Sequence, residues 1–301
     1  MTLALSGVLG PVVSTFHPRS GDFDAVAFSS NVQAHLTAGL NGIVVCGSTG
    51  EAALLTEDER VAALAAARRD VPASRLLLMG CGAESTRLTI SRCRAAQSAG
   101  ADAALVVAPH YYSNAMSDAA LRTHYRRVAD ESPLPVVLYN IPKYMHFKLA
   151  PELVADLAQH ANIVGIKDSS GDLALLGGYL ASQSGTFSVL TGSGGQLHPA
   201  MVAGARGGIV AVALFAGPLS VRVYEACRTG DLALAESAQA LLKPLAATIV
   251  GELGVPGVKA ALDAVGYTGG PVRGPLLDLD AAGRARVAVL LSEAGAGAPR
   301  V

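Results

Sequence analysis

Lys167 is the residue in this sequence that points most directly to chemistry. It follows Asn162–Ile166, a short stretch rich in isoleucine and valine. A lysine at the end of a buried strand holds its amine away from bulk water, and burial favours the uncharged form of an amine. Because a neutral amine attacks a carbonyl carbon to form a Schiff base, Lys167 predicts covalent catalysis on a carbonyl substrate. Taken alone, a solvated lysine that merely ends a strand is the simpler interpretation.

Two other groups of residues extend this chemistry. Tyr139 ends the apolar run before that of Lys167, where a phenol can move a proton during imine formation and carbon–carbon cleavage. An aromatic core residue is the alternative interpretation. The turn Gly47–Glu51, with the sequence GSTGE, combines small residues with the hydroxyls of Ser48 and Thr49. Its backbone amides can approach a carboxylate closely, although a simple strand-to-helix turn capped by a hydroxyl fits as well.

Short apolar runs alternate with Ala/Leu-rich helical stretches along the chain, at a spacing that fits one strand plus one crossover helix. The runs are Val8–Ser14, Gly42–Cys46, Leu76–Met79, Ala104–Val107, Val136–Tyr139, Ile163–Ile166, Ser188–Leu190 and Gly208–Val212. Apolar strands separated by helices predict a buried parallel sheet, and eight of them favour an α/β fold of the (β/α)8 TIM-barrel type. An open doubly wound sheet is the alternative, but the first strand–helix junction, near Ser14–Asp24, lacks a GxGxxG loop.

A barrel fold explains why Lys167, Tyr139 and the Gly47–Glu51 turn lie at the ends of apolar runs. The active sites of such barrels lie at the C-terminal ends of the strands. After residue 217 the strand pattern stops and helical stretches follow. We expect residues 1–217 to form the barrel and residues 218–301 to form a C-terminal helical extension. No linker-like segment separates the two, so we expect the extension to pack on the barrel as one structural unit.

Composition excludes several classes of function. The chain has 301 residues, of which 51% are hydrophobic and 16% charged, and its net charge is −1. No basic face for nucleic acid is expected, and no uncharged apolar stretch is long enough to span a membrane. A cytoplasmic enzyme follows by default. The four cysteines and seven histidines are scattered, with no CxxC or HExxH motif, so we expect free thiols and no metal site.

Five motifs, in this order, resemble those of the class I pyruvate-dependent aldolase superfamily, which includes dihydrodipicolinate synthase and N-acetylneuraminate lyase. They are GSTGE (Gly47–Glu51), PHYY (Pro109–Tyr112), YNIP (Tyr139–Pro142), GIKDSSGD (Gly165–Asp172) and GSG (Gly192–Gly194). The resemblance covers about Gly10 to Leu291. Longer stretches are most similar to 4-hydroxy-2-oxoglutarate aldolase: Leu76–Thr86, Pro109–Tyr125, Val128–Pro142 and Gly254–Leu276.

The resemblance implies a catalytic role for four residues. Lys167 would be the Schiff-base lysine and Tyr139 the general acid and base. Ser48 would relay protons between Tyr139 and Tyr112, a second tyrosine that family members often lend to a neighbouring subunit. The resemblance also implies a homotetramer built as a dimer of dimers, with Tyr111 and Tyr112 at an interface, and it implies no metal or organic cofactor.

It further implies how the substrate would be held. Thr49, with the backbone amides of Ser48 and Thr49, would bind the pyruvate carboxylate, and Gly192 and Val210 would line the pyruvyl pocket. Dihydrodipicolinate synthases carry an arginine two residues after the proline of the YN(V/I)P motif, where it binds the carboxylate of the second substrate. Here Tyr144 holds that position, which argues against aspartate semialdehyde as the substrate.

The resemblance implies a Schiff-base lyase that cleaves a 4-hydroxy-2-oxoglutarate-type 2-oxo acid into pyruvate and an aldehyde. Lys143 lies one position from the missing arginine, and Met145 and His146 replace a small Thr-Gly pair common in the family. Dihydrodipicolinate synthase and a 2-oxo-3-deoxy sugar acid aldolase or dehydratase therefore remain alternatives. A catalytically inactive protein that binds a 2-oxo acid is the alternative from a different class.

Overall fold

A computed structural model describes residue 3 and residues 5–296 of the chain. Eight parallel strands follow one another around a closed barrel, and β8 pairs with β1. The strands are β1 (Gly7–Pro11), β2 (Gly42–Val45), β3 (Leu76–Gly80), β4 (Ala103–Val107), β5 (Val136–Asn140), β6 (Ile163–Asp168), β7 (Ser188–Thr191) and β8 (Gly207–Ile209). The predicted (β/α)8 barrel is confirmed.

Helices connect the strands and form the outer layer. They are α1 (Ala25–Thr37), α2 (Glu57–Asp70), α3 (Thr86–Ser98), α4 (Asp118–Glu131), α5 (Pro142–Met145), α6 (Pro151–Leu157), α7 (Leu173–Leu180), α8 (Leu197–Val202), α9 (Gly217–Thr229), α10 (Leu232–Leu245), α11 (Gly254–Ala264) and α12 (Ala281–Glu293). A π-helical segment, Ala246–Glu252, joins α10 to α11. None of the helices in the described part of the chain is long and apolar enough to cross a membrane.

Side-chain caps explain where several helices begin. Thr56 accepts a hydrogen bond from the amide of Glu59, and the Glu59 carboxylate accepts one from the amide of Thr56. This reciprocal capping box satisfies two amides that lack partners inside the helix. The Ser85 hydroxyl caps α3 by accepting a hydrogen bond from the amide of Leu88, and the Ser117 hydroxyl caps α4 by accepting one from the amide of Ala120. Pro151 occupies the first turn of α6, where its missing N–H costs nothing.

The barrel closes where two glycines meet. Gly7 on β1 and Gly207 on β8 both have positive φ angles, 97° and 141°. A side chain on Gly207 would overlap the backbone carbonyl of Gly7. Glycine at position 207 therefore lets β8 approach β1 closely enough to complete the ring of hydrogen bonds, whereas a side chain on Gly7 would overlap the side chain of Asn41.

Two of the C-terminal helices contact the barrel. Helix α9 contacts β1, and α11 contacts the turn after β2. The predicted boundary between residues 217 and 218 falls at the start of α9. The division into a barrel and an extension at this position remains a prediction, and residues 1, 2, 4 and 297–301 of the two proposed units lie outside the described residues.

Candidate active site

A cavity of about 400 Å³ opens at the C-terminal ends of the strands. Its size falls in the range usual for small-molecule sites. Six residues that the sequence singled out line it: Ser48, Thr49, Tyr139, Tyr144, Lys167 and Gly192. The same end of the barrel therefore carries nearly all the side chains to which the motifs pointed.

Lys167 and Tyr139 face each other across the β5–β6 ladder. They are paired directly in its register, and β6 continues through Lys167 and Asp168 rather than ending at Ile166 as predicted. The Lys167 side chain crosses above the phenol, with Nζ 4.3 Å from the ring centroid of Tyr139. Both residues are buried, at 4% and 5% exposure. An amine and a phenol thus share one water-poor corner of the cavity.

The turn after β2 supplies the hydroxyls. Ser48 Oγ lies 3.4 Å from the hydroxyl of Tyr139, at the long end of the hydrogen-bond range. Ser48 and Thr49 begin a short 3₁₀ turn, and the first amides of such a turn have no acceptor inside it. The turn is bracketed by two non-glycine residues in the left-handed region, Cys46 (φ 53°) and Glu51 (φ 55°). Left-handed geometry is costly for residues with a side chain, so contacts elsewhere must hold it.

A buried ion pair holds the Glu51 end of this turn. Lys259 Nζ on α11 lies 2.6 Å from Glu51 Oε1, and the backbone amide of Arg273 donates to Glu51 Oε2 at 2.7 Å. The Arg273 guanidinium in turn binds both carboxylate oxygens of Glu59 on α2. Burial lowers the pKa of Lys259 below its usual value, and the Glu51 carboxylate opposes that effect. The C-terminal helices are therefore tied through Lys259 to the turn that carries Ser48.

A second network fixes the tips of β5 and β6. Asn140 Nδ2 donates to Asp168 Oδ1 at 2.7 Å, while the Ser170 hydroxyl donates to Asp168 Oδ2 at 2.7 Å. Burial raises the pKa of Asp168, and the bonds from Ser170 and Asn140 oppose that rise. The Asn140 side-chain oxygen also accepts from the amide of Leu149, beyond α5. The strands that carry Tyr139 and Lys167 are thus cross-linked one residue beyond those side chains.

Because Gly192 has no side chain, it makes room for the side chains of Ser169 and Lys167. A Cβ atom at this position would overlap the Ser169 hydroxyl and would lie 3.0 Å from Lys167 Cε. The backbone amide of Gly192 donates to the Asp168 carbonyl at 2.6 Å, which holds the loop against β6. Glycine at this position therefore leaves room first for the Ser169 side chain and then for the stem of Lys167.

Tyr144 and Lys143 border the other half of the cavity from helix α5. Tyr144 is 41% exposed, and its partial burial together with the nearby Tyr139 raises its pKa. The Lys143 amine donates to the carbonyl of Gly251 in the π-helical segment at 3.0 Å and lies 5.9 Å from the Tyr144 ring centroid. No arginine lines the cavity among the described residues.

Two residues of the predicted set lie elsewhere. The Val210 side chain is fully buried, and its neighbours Ile209 and Ala211 line the cavity instead, because alternate residues of an extended segment face opposite sides. Tyr112 is 70% exposed and does not line the cavity of its own chain. Its ring packs edge-on against Tyr111, with 5.0 Å between ring centroids.

The C-terminal helices contribute a wall that the motifs did not indicate. Lys243 on α10, residues of the π-helical segment and Val258 on α11 all line the cavity. Asp168, Asn140 and Lys259 were also missed as supporting residues. The one sequence signal for Asn140 and Asp168 is their position directly after Tyr139 and Lys167, whereas nothing local marks Lys243.

The chain is similar to known proteins over nearly its whole length. The sequence model of the "Dihydrodipicolinate synthetase family" matches residues 4–294. A 4-hydroxy-tetrahydrodipicolinate synthase of Methanoculleus marisnigri is 37% identical over 279 residues, which cover 92% of this chain and 94% of the relative.

Two solved structures with pyruvate bound are also similar. YagE of Escherichia coli, a prophage protein of the dihydrodipicolinic acid synthase family, is 31% identical with a TM-score of 0.90, covering 97% of this chain and 99% of its own. The chloride-inhibited dihydrodipicolinate synthase of Acinetobacter baumannii is 30% identical with a TM-score of 0.92, at the same coverage of 97% and 99%.

Proposed function

Since the chain belongs to the dihydrodipicolinate synthetase family of pyruvate-dependent lyases that form a Schiff base on a lysine, we propose that Lys167 is that lysine. We propose further that the enzyme cleaves a 4-hydroxy-2-oxoglutarate-type 2-oxo acid into pyruvate and an aldehyde. The observation that carries the assignment is the buried Lys167 amine beside the Tyr139 phenol, at the mouth of the barrel.

The proposed reaction begins at the substrate carbonyl. The neutral amine of Lys167 attacks C2 of the 2-oxo acid, water leaves, and a protonated imine forms. Thr49 and the free amides at the start of the Ser48–Thr49 turn bind the C1 carboxylate, because N–H groups at such a turn favour an anion. Gly192 gives the lysine stem the room it needs to reach C2.

Cleavage then uses the imine as an electron sink. Tyr139 removes the proton from the C4 hydroxyl, the C3–C4 bond breaks, and its electrons move into an enamine. An aldehyde leaves, which is glyoxylate when the substrate is 4-hydroxy-2-oxoglutarate. A proton returns to C3, and water hydrolyses the imine to release pyruvate and the free amine. Ser48, 3.4 Å from the phenol, passes protons to and from Tyr139.

The outward position of Tyr112 supports an assembled enzyme. Exposed aromatic side chains are enriched at protein interfaces, and the Tyr111–Tyr112 pair is exposed on a loop after β4. We therefore propose a homotetramer, built as a dimer of dimers, in which Tyr112 reaches the relay of a neighbouring subunit. Sedimentation of the wild type and of Tyr112→Ala tests this, since an unchanged assembly would remove Tyr112 from the interface.

A second candidate function is 4-hydroxy-tetrahydrodipicolinate synthesis, because a relative of 37% identity carries that name. Tyr144 stands against it, since a phenol replaces the expected arginine and no arginine lines the described cavity. A 2-oxo-3-deoxy sugar acid aldolase or dehydratase would fit the same amine and phenol. A panel of these substrates, scored for pyruvate release or for consumption of pyruvate with aspartate semialdehyde, separates the three.

Borohydride trapping tests the covalent step directly. The wild type incubated with pyruvate and sodium borohydride is expected to gain one reduced pyruvyl adduct per chain, mapped by peptide mass spectrometry to Lys167. Lys148→Arg is a matched control, because Lys148 is an exposed lysine paired with Asp172 outside the cavity. An adduct that persists in Lys167→Arg, or a wild type with no adduct, would refute the assignment.

Tyr139→Phe separates the acid–base role from a packing role. The substitution keeps the ring beside Lys167 and removes only the hydroxyl. We expect turnover to fall by about 10²–10⁴-fold, the usual contribution of a general acid or base, while the urea unfolding midpoint stays near that of the wild type. Turnover within about threefold of the wild type would exclude Tyr139 from proton transfer.

A further inference from the structure

The cavity carries more positive charge than a pyruvyl group requires. Three lysines line it, Lys143, Lys167 and Lys243, and none of the described residues that line it is an aspartate or a glutamate. Under the proposed mechanism Lys167 is consumed in the imine, and the C1 carboxylate binds at the turn after β2. Two cations therefore remain on the walls of the cavity with no anionic protein group in it to balance them.

Lys243 differs from the other lysines in its partners. Lys148 pairs with Asp172 and Lys259 pairs with Glu51, while the Lys143 amine is bound to the carbonyl of Gly251. In the described part of the chain, Lys243 takes part in no ion pair and no side-chain hydrogen bond. An exposed cation that borders a cavity without a protein partner is available to a ligand.

The backbone below Lys243 is held firmly against the site. Gln239, four residues earlier on α10, is buried and donates from Nε2 to the carbonyl of Gly194 at 3.1 Å. Residues four apart lie on the same face of a helix, so Lys243 shares the face that contacts the loop after β7. Gly194 lines the cavity as well. The buried hydrogen bond from Gln239 to Gly194 therefore fixes the position of helix α10, which carries Lys243.

The location also fits the far end of an extended substrate. Strands β2 and β6 are four places apart in a closed ring of eight, so the Ser48–Thr49 turn and the loops flanking β6 lie on opposite sides of the mouth. A 2-oxo acid with its C1 carboxylate at the turn and its C2 carbon bound to Lys167 has its C4 end in the remainder of the cavity. Lys143 and Lys243 both line that cavity.

We propose that Lys243 binds a second carboxylate, carried by the aldehyde half of the substrate, and so selects dicarboxylic 2-oxo acids. This inference rests on the proposed aldolase function. Lys143 adds positive potential beside it but is already engaged with Gly251. Lys243 is a specificity residue that takes no part in imine formation.

Two substrates that differ only at this end provide the test. 4-Hydroxy-2-oxoglutarate carries a carboxylate where 4-hydroxy-2-oxopentanoate carries a methyl group, and both release pyruvate on cleavage. We expect the wild type to favour the dicarboxylate in kcat/KM. In Lys243→Gln this preference should fall by about tenfold, the scale of one charge-assisted hydrogen bond in a partly open site, through a higher KM for the dicarboxylate.

Three controls make the result specific. Lys243→Arg should retain most of the preference, and Arg222→Gln, which removes an exposed cation of α9 outside the cavity, should match the wild type. The wild-type preference should also weaken as salt is raised, because an exposed charge pair is screened. Equal losses for both substrates in Lys243→Gln would overturn the proposal, as would a preference that the substitution leaves unchanged.

Failure of this inference and failure of the proposed function give different results. A wild type that forms the borohydride-trapped pyruvate adduct but does not prefer the dicarboxylate overturns the role of Lys243 alone. A wild type that forms no adduct removes the Schiff-base mechanism on which both depend.

Discussion

His35 should make the protein sensitive to acid in a way that can be calculated. The residue is fully buried on α1, with its ring edge-on to Tyr267 at 5.5 Å between centroids. Within the described part of the chain neither of its ring nitrogens has a hydrogen-bond partner. Burial lowers the pKa of His35 from 6.5 to about 4, because the charged ring would lose its hydration.

The magnitude follows from the two pKa values. At about 1.4 kcal/mol per pH unit, the difference between 6.5 and about 4 corresponds to roughly 3 kcal/mol of folding free energy. The folded pKa of His35 is the lower one, so this stability is fully present above pH 6.5 and is lost as the pH falls toward 4. By pH 5 the unfolded chain has bound the proton and the folded chain has not, which costs about 2 kcal/mol.

Urea unfolding at pH 7.5 and at pH 5 measures this loss. His35→Phe keeps a ring against Tyr267 and removes the titration, so its loss between the two pH values should be about 2 kcal/mol smaller than that of the wild type. Any packing penalty of the substitution acts equally at both pH values and cancels in the difference. His35→Leu is a second variant that should give the same difference.

His35 is one of two buried histidines that should contribute to the acid sensitivity of the protein. His124 also has its pKa lowered to about 4 by burial, so His35→Phe should reduce the loss without abolishing it. His17→Gln, at an exposed histidine, should behave as the wild type does. The reasoning is refuted if His35→Phe and His35→Leu lose as much stability between pH 7.5 and pH 5 as the wild type.

Two further predictions concern the residues around the cavity. Lys259→Met leaves the buried Glu51 carboxylate without its cation, so we expect urea unfolding to show a loss of about 3–5 kcal/mol in the free energy of unfolding. Adding Glu51→Gln to this variant should partly restore the stability. A loss below about 1 kcal/mol would contradict the ion pair. Gly192→Ala places a methyl group against the Ser169 hydroxyl and 3.0 Å from Lys167 Cε, so trapping of pyruvate by borohydride should slow markedly. Gly185→Ala, with no atom within 4 Å of the new Cβ, should trap at the wild-type rate.

Much of the fold could be predicted because the local signals agree with one another. The apolar runs and the cap at Thr56 each mark an element, and the structure places strands and helices within a few residues of those marks. Strand ends were less accurate. β6 continues through Asp168 because its backbone stays paired with both neighbours, which a change from apolar to polar side chains does not reveal. The π-helical segment after α10 had no recognisable signal.

Within the site, the sequence was informative for residues that share or adjoin a strand. Tyr139 and Lys167 each lie one residue before the end of consecutive strands, and consecutive strands of a barrel are neighbours, so their meeting followed from the fold. Val210 shows the limit, because a shift of one residue along an extended segment moves a side chain to the other face. Lys259 reaches Glu51 across more than two hundred residues, and no local pattern predicts a contact of that kind.

The wall formed by the C-terminal helices has a consequence for how new activities could arise. All of its cavity-lining residues fall within the single stretch 243–258, whereas the amine and the phenol are carried by strands far earlier in the chain. A chimaera that exchanges only this stretch with a related barrel would replace one side of the acceptor pocket in a single step. Diversification of the aldehyde partner could then proceed by recombination, while the bond-making machinery is inherited unchanged.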